Sequence, residues 1–299
     1  MIVFHSVDAD GWCSGALAKM YLDPEGELTY ANYNQDKEAV RRILERRPQK
    51  LYVVDYTFQP EDFEKIMDAC GEIYWYDHHA KAINEASDRA RALPGRRSTE
   101  TENRVSAAWL VYQDCPQNDC VKRAVQLVSD YDTFSFDDDN ILICAAPAFN
   151  AYISFDRGGS VNQLYRVVDF LQEMVFTGGM SMESALEDGF SYLSNEINNA
   201  VGASKRAVFG TCDGLKFAAI NSANLNPAYV CKPHQKDCDF VFCWYMLRDG
   251  KIKLDLRSDK KTGADVSRIA GLLGGGGHEH AAGCTVTLDT FLKIMEKKI

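Results

Sequence analysis

The sequence predicts an α/β protein with two domains and a helical connector. The first domain, over residues 1–180, is expected to be a doubly wound, mainly parallel sheet, because short apolar runs alternate with helical stretches there. A longer, more polar helical pattern over 181–206 predicts the connector. After residue 207 the pattern changes to short strands, which predicts a smaller α+β domain over 207–299. A chain of 299 residues suits two cores, and we expect the active site in the cleft between the domains.

Each element of the first domain follows from a local pattern of apolar residues. The predicted strands are IVF (2–4), LTYANY (28–33), LYVVDYT (51–57) and EIYWYD (72–77). The predicted helices cover about 11–22, 36–47, 60–69, 105–114, 119–131 and 160–176. Pro60 is typical of a first helical turn, and the apolar stripe of the last helix indicates a core-facing side. Residues 81–104 predict a loop, whose four arginines at 89, 91, 96 and 97 favour a solvated charged segment over phosphate contacts.

The second domain begins with LKFAAIN (215–221) as a strand. Residues 239–258 predict a hairpin around Asp249-Gly250, because Asp-Gly is a preferred two-residue hairpin turn. The second arm of this hairpin alternates apolar and charged residues, which predicts one buried and one exposed face. A short helix at about 264–273, four glycines, a last strand and a last helix complete the domain.

Composition and charge limit the classes of function. The net charge is −10 and the pI is about 5.1, so the protein is poorly suited to long duplex DNA, whose phosphates need a basic footprint. A small anionic substrate held by a few cations or by metal stays compatible. No apolar run approaches membrane-spanning length, so no membrane partner is expected. The N-terminal residues lack signal-peptide features and the ten cysteines form no CxxC pair, which favours a cytoplasmic protein with reduced thiols.

Polar residues interrupt the apolar pattern at three strand ends. They are His5, Asp8 and Asp10 after the first strand, Asp55 after the third, and Asp77, His78 and His79 after the fourth. Because the carboxyl ends of parallel strands meet at one edge of a sheet, these side chains should converge there. Taken singly, Asp10 could cap the next helix and His5 could be a buried core histidine. The joint pattern instead indicates a metal site.

The donor types suggest which metal such a site would hold. Carboxylates and imidazoles without thiolates suit Mn²⁺, with Mg²⁺, Co²⁺ or Zn²⁺ as alternatives. The number of acids suits two divalent ions bridged by one carboxylate, and two such ions favour hydrolysis of a phosphoric ester or anhydride. The segment LVSDYDTF (127–134) offers a further ligand, and spacing does not choose between Asp130 and Asp132.

The run GGGGHEHAAG (274–283) is the other unusual stretch. Four glycines lose much backbone entropy on folding, so the run favours a backbone nest that binds an anion over a flexible turn. Arg257 and Ser258 stand nearby and offer a guanidinium fork and a hydroxyl, which suit phosphate. Residues 251–262 carry five basic against two acidic side chains, a small cationic patch on an acidic protein.

These motifs together resemble the DHH phosphoesterase superfamily. HSVDADG (5–11), VVDYT (53–57), YDHHA (76–80) and VSDYDTF (128–134) are similar to its four N-terminal motifs, in order. GGGGHEHAAG, with LRS (256–258) ahead of it, is similar to the glycine-rich signature of the associated C-terminal domain. Within the superfamily the chain most resembles the oligoribonuclease (nanoRNase) and cyclic-nucleotide phosphodiesterase branch.

The resemblance implies a role for each candidate residue. His5, Asp8 and Asp55 would hold one Mn²⁺, and Asp10, Asp55, His78 and Asp130 (or Asp132) the other, with Asp55 as the bridge. His79 would lie near the scissile phosphate, and Asp77 would orient a histidine. Arg257, Ser258, Gly276, Gly277, His278 and, more weakly, His280 would bind the substrate's terminal phosphate or nucleotide.

The expected function is therefore a two-metal phosphodiesterase that degrades short oligoribonucleotides, such as dinucleotides, to nucleoside monophosphates. One alternative is a phosphatase or phosphodiesterase for a small nucleotide: a 3′,5′-bisphosphonucleotide, a linear or cyclic dinucleotide, or cAMP or cGMP. The other is a non-catalytic nucleotide or RNA sensor. A homodimer is compatible with the sequence, which does not decide the oligomeric state.

Overall fold

The protein is described by a computed structural model, which covers residues 1–32, 36–99, 104–136, 138–155, 160–261 and 263–296. The chain divides into two compact units, Met1–Leu193 and Ser194–Ile299. Helix α10 (Met180–Ser204) runs through the boundary and covers most of the segment predicted as a connector. Within the described residues, no helix has the length and apolar character needed to span a bilayer.

The first unit is built on a four-stranded, fully parallel sheet, as the alternating pattern predicted. Its strand order is β2-β1-β3-β4. The strands are β1 (Ile2–His5), β2 (Leu28–Ala31), β3 (Lys50–Val54) and β4 (Glu72–Tyr76). Strand β3 ends earlier than predicted because Asp55 leaves the extended region at φ +55°. Residue 33, the last of the predicted second strand, lies outside the described residues.

Helices cover both faces of this sheet, which confirms the doubly wound arrangement. They are α1 (Ala9–Leu17, continued by a π-helical turn), α2 (Lys37–Arg46), α3 (Pro60–Ala69), α4 (Ala80–Glu85), α5 (Asp88–Arg91), α6 (Ala107–Tyr112), α7 (Asp119–Asp132), α8 (Ala145–Ser154) and α9 (Ser160–Thr177). Phe4 and Val54 pack with residues of α1, α6, α7 and α9 on one face. Val3, Val53 and Trp75 pack with residues of α2 and α3 on the other. The sheet thus lies between two apolar cores.

The predicted loop over 81–104 is largely structured. It contains α4 and α5, and a segment that runs beside β4: the Trp75 N–H donates to the Pro94 carbonyl at 2.9 Å, and the Ser98 N–H to the Asp77 carbonyl at 3.1 Å. Gly95 is required there, because its φ is +105° and a Cβ would lie 2.3 Å from the Trp75 carbonyl oxygen. Residues 100–103 lie outside the described part.

The arginines of this segment hold it to the rest of the unit. Arg89 pairs with Glu64 and Asp68, and Arg96 pairs with Asp114. Arg97 donates to backbone carbonyls and stacks over the Trp75 ring, 5.2 Å from its centroid. These contacts explain the charge of the segment without a bound phosphate.

The second unit is a six-stranded mixed sheet of order β5-β6-β7-β8-β10-β9. Its strands are β5 (Val208–Cys212), β6 (Leu215–Asn221), β7 (Phe240–Met246), β8 (Ile252–Arg257), β9 (Gly276–His278) and β10 (Ala281–Val286). Its helices are α11 (Pro227–Cys231), α12 (Val266–Leu272) and α13 (Leu288–Glu296). The predicted hairpin is present as β7 and β8, and the apolar positions Ile252, Leu254 and Leu256 are buried as their alternation predicted.

Candidate metal centre

Three strand ends meet at one edge of the first sheet. The register pairs Phe4 with Val54 and Val54 with Tyr76, so the next residues, His5, Asp55 and Asp77, follow one another across three adjacent strands. Strand order reverses between β1 and β3, and open parallel sheets bind ligands at such a switch point. The topology therefore brings together the side chains that interrupt the apolar pattern.

The turn from β1 into α1 depends on a glycine. Asp8 is the N-cap of α1, and its Oδ1 accepts a hydrogen bond from the Gly11 N–H at 3.0 Å. A Cβ on Gly11 would lie 1.9 Å from the His5 carbonyl oxygen, so no other residue fits without a shift. The close approach leaves Asp8 Oδ2 3.8 Å from His5 Nδ1.

The position of Asp10 suggests that it caps α1, but its carboxylate is held by other hydrogen bonds. Asp8, and not Asp10, caps α1. The two carboxylate oxygens of Asp10 accept hydrogen bonds from the N–H groups of Ala107 and Ala108, each at 2.8 Å. These N–H groups open α6 and have no partner within that helix. This anchor was not predictable from the sequence, because it joins residues 97 positions apart.

Asp55 lies between the two sets of candidate ligands. Its side chain is 1% exposed, with Oδ2 3.4 Å from His5 Nδ1 and Oδ1 3.5 Å from His78 Nε2. Its φ of +55° lies in the left-handed region, which Asp adopts more readily than most non-glycine residues, and turns the chain sharply after β3. The backbone N–H is still held by the Tyr76 carbonyl at 2.8 Å. This position is the one expected of a bridging carboxylate.

Donor atoms from these residues form three overlapping groups. Within each group the atoms lie within 4.8 Å of one another, and the groups are His5–Asp8–Asp55, Asp10–His78–Asp132 and Asp55–His78–His79. Asp55 and His78 each belong to two groups, so the donors suit two neighbouring cations. This arrangement contains every residue that sequence analysis assigned to metal, apart from Asp130.

The structure distinguishes the two aspartates that spacing left open. Asp132 Oδ2 lies 3.4 Å from His78 Nε2. Asp130, the residue that sequence analysis favoured, instead accepts a hydrogen bond from Gln126 Nε2 at 2.6 Å, along the surface of α7. Asp132 is therefore the geometric candidate for the ligand from the fourth motif.

Asp77 holds His79 in place. Its Oδ1 lies 2.7 Å from His79 Nδ1 and also accepts hydrogen bonds from the backbone N–H groups of His78 and His79, at 2.7 and 3.1 Å. The hydroxyl of Thr57 donates to the other oxygen, Oδ2. Thr57 was not identified from the sequence, although it stands two residues after Asp55. The whole His79 ring is thus oriented by a fully buried carboxylate.

The pKa values of several side chains in this centre differ strongly from their ordinary values. Burial, with the charge of Asp10, raises the pKa of Asp55 well above its ordinary value, and the same two causes raise the pKa of Asp132. Burial alone would raise the pKa of Asp77, but hydrogen bonds from His79 and Thr57 lower it to about 2. For His78, burial is outweighed by the hydrogen bond to Asp55 and the charges of Asp10 and Asp132, which raise the pKa to about 10.

These features fit bound divalent cations. The carboxylates of Asp10, Asp55 and Asp132 converge on His78; the first two are buried and Asp132 is partly exposed, and a cation would offset the repulsion among them. Among the described residues, Asp55 Oδ1 has no hydrogen bond shorter than its 3.5 Å contact with His78 Nε2, so it can also face an ion. Oxygen and imidazole donors without thiolates suit Mn²⁺ and related ions.

The second unit contains the other predicted residues, and one of its edges is formed by the glycine run. Arg257 of β8 and His278 of β9 both lie opposite Ala281 of β10, so the three share one face of the sheet with the small alanine in the middle. Ser258 is buried, its N–H donates to the His280 carbonyl at 3.3 Å, and its Oγ lies 3.0 Å from His280 Nδ1.

The glycines of this run have packing reasons. A Cβ on Gly277, whose φ is +145°, would lie 2.5 Å from Ala282 Cα, and one on Gly275 would lie 2.2 Å from the Gly283 carbonyl oxygen. Gly276, in contrast, has open space around the Cβ position. The run is therefore an edge strand and its approach rather than a flexible turn, and two of its glycines are required by close strand contact.

Comparisons with known proteins agree with this architecture. No family model matches the chain. The chain is 24% identical to oligoribonuclease NrnB of Bacillus subtilis over an alignment of 314 residues, which covers 95% of this chain and 72% of NrnB. Among solved structures, it superposes on the pGpG-specific phosphodiesterase PggH of Vibrio cholerae with a TM-score of 0.59 at 13% identity, covering 99% of this chain and 96% of that one. The structural likeness shows a shared fold.

Proposed function

Because this chain resembles the DHH-type nanoRNases and phosphodiesterases, we propose that it is a metal-dependent phosphodiesterase that cleaves short oligoribonucleotides to nucleoside monophosphates. The observation that carries the proposal is the overlap of three carboxylate and imidazole groups around Asp55, at the switch point of a parallel sheet. The similarity to oligoribonuclease NrnB supports short RNA as the substrate class.

Each residue of the centre has a task in this proposal. His5, Asp8 and Asp55 hold one divalent ion, and Asp10, Asp55, His78 and Asp132 hold the other, with Mn²⁺ the best match to the donors. When bound, the two ions neutralise the phosphoryl oxygens and lower the pKa of the attacking water. Asp55 must stay between both sets of ligands, and its burial and the backbone hydrogen bond to Tyr76 hold it there.

His79 is suited to assist the leaving group. Burial alone would lower its pKa, but the hydrogen bond to Asp77 and the charges of Asp77 and Asp55 raise it to about 9. In the metal-free protein the imidazole is therefore protonated at neutral pH, and its side chain is 35% exposed, compared with 17% for His78. It donates a proton to the leaving oxygen of the scissile ester, while Asp77 fixes the ring.

Binding of the substrate's terminal phosphate or nucleotide is assigned to the second unit. Arg257 and His278 present a cation and an imidazole on one face, separated by Ala281. Ser258, Gly276, Gly277 and His280 complete this set, in which backbone N–H groups of the β9 edge and the Arg257 guanidinium suit an anion.

The direct test is incubation of the purified protein with labelled di- and pentaribonucleotides and Mn²⁺. We expect mononucleotide products from the wild-type protein and none from Asp55→Asn, which retains the shape of the side chain but loses its charge. The proposal would be contradicted if the wild-type protein cleaved neither substrate, or if Asp55→Asn did not abolish the cleavage.

Linear dinucleotides form a second candidate substrate class. The structural neighbour PggH is a pGpG-specific phosphodiesterase, which favours this class. Rates on pGpG, on a cyclic dinucleotide, on cAMP and on a 3′,5′-bisphosphonucleotide, compared with rates on the pentaribonucleotide, separate the alternatives. A preference for one dinucleotide by an order of magnitude would assign the protein to that narrower class. A loading of less than one Mn²⁺ per chain would instead favour a non-catalytic nucleotide sensor.

A further inference from the structure

Three aromatic side chains lie around the end of α7, next to Asp132 of the metal centre. Helix α7 ends at Asp132, and Tyr131, Phe134 and Phe136 pack on one another at this end. The rings of Tyr131 and Phe136 are parallel, with 3° between their planes and 5.6 Å between centroids, and Phe134 lies 6.2 Å from Phe136 at 30°. We refer to these three residues as the aromatic platform.

Phe134 has a backbone conformation that favours glycine. Its φ is +55°, and it occupies the position just past the helix end in a Schellman motif. The Ser135 N–H donates to the Asp130 carbonyl at 2.7 Å, and the Phe134 N–H donates to the Tyr131 carbonyl at 3.1 Å. Glycine is the usual residue at this position, because a side chain is strained there. A bulky aromatic at this site therefore has a cost that the turn itself does not explain.

The ring of Phe134 is also largely in water. Its exposed fraction is 61%, so it contributes little to the core of the first unit. The exposed apolar ring and the strained backbone each destabilise the folded protein, and both occur at Phe134. Such strain is concentrated at functional sites, which makes Phe134 a candidate for ligand binding.

Phe134 is close to Asp132 in the chain, and this closeness to a candidate metal ligand indicates which kind of molecule the ring would contact. Phe134 follows Asp132 by two residues, so their Cα atoms are at most ~7 Å apart, and Asp132 Oδ2 lies 3.4 Å from His78 Nε2. The carboxylate of Asp130, which lies outside the metal centre, repels phosphate but not a neutral base. Aromatic rings stack on every nucleobase, because each base has a π-face.

We propose that the aromatic platform stacks on a nucleobase of the substrate next to the scissile phosphate. This inference rests on the proposed function, which places the phosphate of a short oligonucleotide at the metal centre. Phe134 provides the exposed ring, and Tyr131 and Phe136 hold it in place. Stacking tolerates every base, so the platform selects nucleotides over other phosphate esters without selecting a sequence.

The test is equilibrium binding of two probes to the Mn²⁺-loaded full chain by calorimetry. The probes are adenosine 5′-monophosphate and ribose 5-phosphate, in which a hydroxyl takes the place of the base. We expect Phe134→Ala to weaken binding of the nucleotide roughly 5- to 100-fold and to leave binding of ribose 5-phosphate and the Mn²⁺ content unchanged. Phe134→Tyr should restore nucleotide binding, and Phe176→Ala, which removes another exposed ring from α9, should have no effect.

Two further results separate a binding role from a structural one. Phe134→Gly relieves the strained backbone, so its thermal midpoint should be no lower than that of the wild type while nucleotide binding is lost. Equal affinity of wild type and Phe134→Ala for the nucleotide, equal loss for both probes, or no binding of either probe to the wild type would overturn the platform. If the wild type cleaves no diribonucleotide but binds the nucleotide through Phe134, the proposed function fails and the platform stands.

Discussion

His78 and His79 are adjacent in the chain but have different neighbours. His78 Nε2 lies within 3.6 Å of carboxylate oxygens from Asp10, Asp55 and Asp132. His79 Nδ1 is held by Asp77 at 2.7 Å. His78 is thus surrounded by candidate ligands, whereas the ring of His79 is oriented by Asp77 and is more exposed.

We predict that alanine substitutions separate the two histidines. His78→Ala should lower the Mn²⁺ content, because it removes a donor shared by two groups. His79→Ala should retain the metal and lower kcat by roughly 10²- to 10⁴-fold, the range typical of a lost general acid. Metal analysis of the purified variants, combined with kcat on a diribonucleotide, is the measurement. Equal loss of metal in both variants would show that this division of roles is wrong.

Asp130 and Asp132 provide a matched pair of substitutions. Asp132→Asn should reduce Mn²⁺ occupancy and activity, because Asp132 lies beside His78. Asp130→Asn should leave both unchanged, because its carboxylate contacts Gln126 on the helix surface. Mn²⁺ titration of the two variants tests this assignment. A larger loss of Mn²⁺ affinity in Asp130→Asn than in Asp132→Asn would reverse it.

Metal affinity should depend on pH. In the metal-free protein the hydrogen bond to Asp55 and the charges of Asp10 and Asp132 hold the pKa of His78 at about 10 despite its burial, so the ring is protonated at neutral pH. A metal ion must displace that proton, because only neutral imidazole is a ligand. The apparent Mn²⁺ affinity should therefore rise between pH 6 and 9, by up to ~10-fold per unit for one displaced proton. Calorimetric titrations in two buffers of different ionisation enthalpy report the released proton, and an affinity that does not change over this range contradicts the prediction.

The elements that shape the centre depend on close backbone contacts. Helix α1 begins beside β1 only because Gly11 has no Cβ, and the segment after α5 lies along β4 only because Gly95 has none. In both places a single carbon atom would collide with a backbone carbonyl oxygen. The packing of these elements is thus controlled at individual glycines.

Gly11→Ala should disrupt the start of α1. Its Cβ would lie 1.9 Å from the His5 carbonyl oxygen, so the helix must shift, and the free energy of unfolding should fall by ~2 kcal/mol or more, as in other overpacked cores. Gly202→Ala, in α10 with open space around its Cβ position, is the control and should stabilise by roughly 0.5–1 kcal/mol. Urea denaturation measures both. A Gly11→Ala variant as stable as the wild type would show that this contact adjusts without cost.

Strands of the first unit were predictable from sequence because buried parallel strands are apolar runs, and their ends were marked by Asp and His. Helices α4, α5 and α8 were not predicted: α4 and α5 are short and charged, and α8 contains Pro147 and small residues. The choice between Asp130 and Asp132 was also out of reach, because residues two apart on a helix point about 200° apart. Only the docking of α7 on the sheet decides which of them faces His78.

At the scale of the whole molecule, the candidate ligands are held in place by contacts within the protein that do not involve metal. Apolar cores lie on both faces of the parallel sheet, and Asp10 and Asp77 are fixed by hydrogen bonds to backbone and side-chain donors. Such contacts persist whether or not an ion is bound.

Removal of metal should therefore abolish activity without unfolding the protein. After treatment with EDTA we expect loss of phosphodiesterase turnover, a lower thermal midpoint, and an unchanged far-ultraviolet circular dichroism spectrum at 25 °C. The midpoint should rise again with added Mn²⁺, because a ligand that binds only the native state stabilises it by RT ln(1 + [L]/Kd). Loss of the helical signal on chelation would mean that the ions are structural.

The hydrogen bonds from Ala107 and Ala108 to Asp10 also bear on the order of events during synthesis. They join residues 97 and 98 positions apart, and such distant contacts form late in folding because the intervening chain must first be closed. A growing chain that has emerged only as far as α4 already contains Asp77, His78 and His79 but lacks α6, the helix that positions Asp10. Under the proposed function, the ligand set that includes Asp10 is complete only after α6 has docked, so we expect phosphodiesterase activity from the folded chain and not from the nascent polypeptide.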